Sequence, residues 1–131
     1  MITAIFLILV IAVLGAYIAS VATTQHTTAS LDLQGAKAYQ AAYAGIQWGA
    51  YQSLRSAPCV TGSTSFALAG GLSGFAVKVD VLNYSYTESG VTRNMCRITS
   101  TGCNFPVGNS CTGNQGNGYY VERQIEATID K

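Results

Sequence analysis

Few residues in this chain could do chemistry: four cysteines, one histidine and six acids. Cys59, Cys96, Cys103 and Cys111 could ligate a metal as thiolates or pair as disulfides. Structural zinc sites favour close Cys-x-x-Cys spacings. None occurs here, and His26 lies far off along the chain. An even cysteine set in a short chain of exported character predicts disulfides instead. Four cysteines allow three pairings, and spacing alone does not choose among them. The preferred set is Cys103–Cys111, which closes a short loop, with Cys59–Cys96, which ties a helix exit to a strand. Such staples are worth about 2–4 kcal/mol each.

Catalytic readings find little support. A single histidine, scattered acids and no Gly-x-Ser-x-Gly leave neither a triad nor a carboxylate pair. Gly70-Gly71-Leu72-Ser73-Gly74 lacks the lysine and the strand–loop–helix setting of a phosphate cradle. Haem attachment requires Cys-x-x-Cys-His, which is absent. Asn83-Tyr84-Ser85 matches a glycosylation sequon but falls in a predicted strand. Eight tyrosines and four phenylalanines could stack on a ligand or pass electrons. The plainer expectation is that Tyr39, Tyr43, Phe75 and Tyr119 fill a helix–sheet core. No enzyme activity, cofactor or metal is expected.

Charge is as sparse as catalytic groups. Charged residues are 10% of the 131, against a usual figure of about 25%. The net charge of +1 gives no basic face for nucleic acid and no polybasic patch for a membrane surface. Mean hydropathy is +0.27, and the length suits one domain.

The apolar material is concentrated at the N-terminus. No charge precedes Asp32. Residues 1–22, as a helix, would span about 33 Å, enough to cross a bilayer core. Its large apolar residues point all round the helix, so every side needs cover from lipid or protein. No Lys or Arg precedes this run, and it exceeds the h-region of a signal peptide. It therefore reads as a retained helix from which a charged leader has been removed. Tyr39, Tyr43, Ile46, Ala50 and Leu54 then recur at spacings of three and four, an amphipathic continuation. Lys37, Gln40, Gln47, Gln52 and Arg55 lie opposite, and Pro58 stops the helix. Gly15 and the threonines of 23–28 are weak helix formers, so a bend or unwinding is expected within 15–28.

Beyond Pro58 the period becomes two. Phe75, Val77, Val79 and Val81 alternate with Ala76, Lys78, Asp80 and Leu82, a strand. Glu88-Ser89-Gly90 signals a turn. Residues 91–101 read as a second strand, 104–118 as a Gly/Asn-rich loop, and Tyr119 to Ile129 as a last strand. The predicted fold is α+β: a long N-terminal helix packed through its second half on a small, disulfide-stapled sheet of three or four antiparallel strands. Its divisions are 1–28, an apolar membrane or filament-core helix, 29–57, the amphipathic continuation, and 58–131, the sheet domain.

This order of features resembles the type IV pilins and their pseudopilin relatives. Ile2-Thr3-Ala4-Ile5-Phe6-Leu7 is similar to the start of MSHA-type pilus biogenesis proteins of the MshP kind, a minor-pilin group. So are residues 41–50, Arg97-Ile98-Thr99-Ser100-Thr101-Gly102 and Val121-Glu122-Arg123-Gln124-Ile125. The resemblance implies an inner-membrane precursor, cut by a prepilin peptidase and assembled by pilus machinery into an extracellular homo-oligomeric filament. The helices would face inward, with Ile5, Phe6, Leu9, Val13 and Gly15 in the filament core and the sheet domains outside. Two features depart from the pilin pattern. Pilins commonly carry Glu at the fifth mature position, where this chain has Ile5, and the proline that often follows the membrane segment is absent. Pilins without that Glu are often minor subunits near the tip, so an initiating subunit is one alternative. A surface-binding module acting through 104–118 and a single-pass anchored protein are the others.

Overall fold

A computed structural model describes residues 2–55, 59, 61–111 and 116–130. Helix α1 runs from Ile2 to Arg55. Strands β1 (Gly62–Ala67), β2 (Phe75–Glu88), β3 (Val91–Asn104) and β4 (Glu122–Asp130) follow. They form one antiparallel sheet in the order β1-β2-β3-β4, each strand pairing with its neighbour in sequence. Among the described residues the chain divides into two compact units, one ending at Leu33 and one starting at Gln34. Pro58, read as the helix stop, lies outside the described residues, as do 112–115 of the long loop.

In the first unit, α1 is helical throughout, and the unwinding expected within 15–28 does not occur. The threonines that make this stretch weak turn their hydroxyls back onto the helix carbonyls. The Thr24 hydroxyl donates to the Ser20 carbonyl at 3.1 Å, Thr27 to Thr23 at 3.1 Å and Thr28 to Thr24 at 3.1 Å. Thr23 donates to the Ser20 carbonyl at 2.9 Å. Bonds of this i−4 and i−3 kind occupy the hydroxyl within the helix that its branching disfavours.

The second unit is built on very close packing. The buried residues of α1 here are Gly35, Ala38, Ala41, Ala42, Gly45, Gly49 and Ser53, all small. The stripe read from the sequence is met in part: Ile46 and Ala50 pack against this core half-buried, whereas Tyr39 and Tyr43 are 54% and 52% exposed, and Leu54 is exposed as well. The sheet face explains the difference. Val77, Val79 and Ile98, all fully buried, stand against Gly45 and Gly49. A Cβ on Gly49 would come 2.7 Å from the Ile98 Cγ2, and one on Gly45 would collide with Ser100 Oγ and the Val77 methyl. At Gly102 of β3 the two backbones touch, because a Cβ there would meet the Ala38 carbonyl oxygen at 2.5 Å. Only small residues fit a helix lying this low on a sheet. Of the four aromatics expected in the core, Phe75 is buried, while Tyr39, Tyr43 and Tyr119 are exposed. Trp48 fills the flank instead, its ring 5.5 Å from Phe66.

The alternation in β2 and β3 places Val77, Val79, Val81, Ile98 and Ser100 on the helix side. Burying each of the large aliphatic groups is worth about 1.5–3 kcal/mol. Ser89 and Gly90 link β2 to β3, with φ of 52° and 82°. Both lie in the left-handed region that a two-residue hairpin turn favours. β3 continues three residues past the expected end, to Asn104, and β4 begins at Glu122 rather than Tyr119. The polar strand β1 carries almost no apolar periodicity in its sequence. Pairing with β2 forms it.

Candidate functional site

Two features stand out: an uncovered helix surface in the first unit and a clamped loop in the second. Ile5, Phe6, Leu9 and Val13 are between 60% and 69% exposed. A Cβ added at Gly15 would meet nothing within 4 Å. The described helix is long and apolar enough to cross a membrane, with a peak mean hydropathy of 2.8 and none of that window buried. Contiguous exposed apolar surface on this scale requires a cover. Its hydroxyls add few free donors, since Ser20, Thr23, Thr24, Thr27 and Thr28 all bond to helix carbonyls.

In the second unit the cysteines pair as Cys59–Cys96, with Cα atoms 5.9 Å apart, and Cys103–Cys111, with Cα atoms 5.6 Å apart. All four are buried. The first ties the chain beyond α1 to the helix side of β3. The second brings the long loop back over the opposite face of the sheet, where Cys103, Cys111 and Ala76 are buried together beside Tyr120.

Asn104 fastens the base of that loop, a role that residue type alone did not signal. Its side-chain amide donates to the Tyr119 carbonyl at 2.8 Å and to the Gln34 side chain. Its Oδ1 accepts from the Val121 amide at 2.7 Å. The Tyr120 hydroxyl lies 2.8 Å from the Cys111 carbonyl and 2.6 Å from the Glu122 carboxylate, one proton between two acceptors. Burial and then the Glu122 carboxylate push the Tyr120 pKa well above the usual tyrosine range. So the described residues of the Gly/Asn-rich loop are held at its two ends and by its disulfide. From it Phe105, at φ 48°, and Val107 project exposed. Beside Phe105 lies an open groove of about 320 Å³ lined by Gln34, Lys37, Gly74, Phe75, Asn104 and Phe105.

The outer sheet face carries two ion pairs, the exposed Arg97–Glu126 at 3.1 Å and the half-buried Lys78–Asp80 at 2.9 Å. Burial raises the Asp80 pKa, but hydrogen bonds from Ser63 and Lys78 and the Lys78 charge outweigh it and leave a lowered value. Exposed pairs such as Arg97–Glu126 contribute little to stability. Among the described residues no group of three or more His, Cys, Asp or Glu could hold a metal. No family model, curated protein or solved structure matches the chain.

Proposed function

We propose that the chain is a structural subunit of an extracellular filament of the type IV pilus kind. It would be held in the inner membrane as a precursor and then assembled with its helices inward. The observation that carries this reading is a helix whose large apolar side chains are exposed on all sides in the first unit. Tyr39, Tyr43, Tyr51 and Leu54 continue exposed apolar surface on the part of α1 that belongs to the second unit. Lipid covers such a surface before assembly, and neighbouring helices cover it afterwards. Ala4, Ala12, Gly15, Ala16 and Ala19 permit close approach of those helices. With Ile5 where pilins commonly have Glu, apolar contact alone drives the packing there.

The test is Leu9→Lys in the full-length protein. Filaments are expected to vanish in electron micrographs, while the second unit keeps its near-ultraviolet dichroism. Normal filaments from this variant would overturn the reading. Wild-type protein found only as single molecules in lipid would favour the single-pass anchored alternative, which the span-length helix also suits.

A further inference from the structure

We propose that the turn joining β2 and β3 in one subunit inserts into the groove beside Phe105 of the next copy, forming a head-to-tail contact between sheet domains. The inference rests on the filament reading and names a contact within it. Both halves of the contact are present in one subunit. β1 pairs with β2 only as far as Val81, and β4 pairs with β3 only from Met95 onward. Beyond these points, among the described residues, the two strands pair only with each other, out to Glu88 opposite Val91. The hairpin therefore projects as a two-stranded arm that exposes Leu82, Tyr84 and Tyr86 and carries Arg93, paired with Asp130 at 3.9 Å. Its outermost residue pair is one carboxylate, Glu88, opposite one exposed apolar side chain, Val91. The groove offers the complement, being lined by Lys37, Phe75 and Phe105. Among the described residues the ion pairs are Lys78–Asp80, Arg93–Asp130 and Arg97–Glu126, so neither Lys37 nor Glu88 is in one.

The two halves also point opposite ways. Phe75, at the groove, opens β2 and Glu88, at the tip, closes it. A strand of this length separates them by about 43 Å. A contact between different patches at opposite ends of a subunit is heterologous, and it propagates instead of closing. Phe105 holds a left-handed φ of 48° with its side chain in solvent. That conformation is disfavoured for a bulky residue, and such outliers mark sites of contact more than of packing.

Carbodiimide treatment of wild-type filaments tests the contact, since it joins an amine and a carboxylate only where they meet. Mass spectrometry is expected to find a Lys37–Glu88 amide between subunits, and Glu88→Gln to abolish it. Glu88→Lys and Lys37→Glu should each reduce filament yield at least tenfold, with the double swap restoring most of it. Filaments that give no such cross-link, with single swaps assembling as well as wild type, would overturn the contact and leave the filament reading intact. Wild-type protein that forms no filaments would overturn both.

Discussion

At the scale of single residues, stability turns on glycines and one serine where α1 meets the sheet. At Gly102 an added Cβ would strike the Ala38 carbonyl at 2.5 Å and the Ala42 amide nitrogen at 2.6 Å, backbone atoms that move only if helix and strand separate. Gly102→Ala should cost about 2–3 kcal/mol, read as a lower melting temperature of the second unit in the full-length protein. At Gly49 the obstacle is the Ile98 Cγ2 at 2.7 Å and a Val79 methyl at 3.1 Å, both on buried β-branched side chains, while alanine gains about 1 kcal/mol of helix propensity. Gly49→Ala should therefore also destabilise, by about 1 kcal/mol less than Gly102→Ala. Ser100 Oγ is buried and has no hydrogen-bond partner among the described residues. Ser100→Ala removes an unpaired buried hydroxyl and should stabilise by about 1 kcal/mol in the same assay. Tyr120 gives the pH dependence. Its raised pKa means that folding favours the protonated phenol. That contribution is full below about pH 10, the ordinary tyrosine value, and is lost as pH climbs through the raised one. In a spectroscopic titration Tyr120 should ionise above the ordinary tyrosine range, and Tyr120→Phe should remove that late step.

At the scale of elements, the two disulfides differ in reach. Cys59–Cys96 spans 37 residues and Cys103–Cys111 only 8. Loop-closure entropy gives about 3.8 and about 2.5 kcal/mol respectively. Replacing Cys59 and Cys96 by alanine should therefore lower the unfolding midpoint more than replacing the other pair. Losing Cys103–Cys111 should instead open the segment around 104–118 to protease while the sheet stays folded. The same elements show what the sequence made legible. The period-two run of Phe75 to Val81 and the turn at Ser89-Gly90 announced β2 and its hairpin, because local pattern and burial coincide there. The docking face of α1 is legible only at Ile46 and Ala50, which pack on the core, because hydropathy weights large side chains, whereas the sheet selects for closeness. Tyr39 and Tyr43 carried the apolar signal, and Ala38, Ala42, Gly45 and Gly49 carry the contact. Strand β1 was missed because its pairing with β2, not its own composition, creates it. The clamp at Asn104 joins residues 70 and 17 positions apart, beyond any local signal.

At the scale of the whole molecule, the first unit presents apolar side chains on every side of α1, and the second carries most of the chain's charge on a sheet. Solubility should follow that division. Full-length protein is expected to leave detergent only as an assembly, which sedimentation after detergent removal would measure. The Ser and Thr hydroxyls folded back onto α1 carry a further consequence. A helix that moves from lipid tails to a packed bundle normally has to re-pair whatever polar groups it shows, and each exchange adds to the barrier. Where Ser20, Thr23, Thr24, Thr27 and Thr28 already spend their hydrogens on their own backbone, that toll is absent. For these five residues, passage between the two surroundings changes only which carbon atoms touch which, and the polar exchange that remains falls to others, among them Thr3, Gln25, His26 and Ser30.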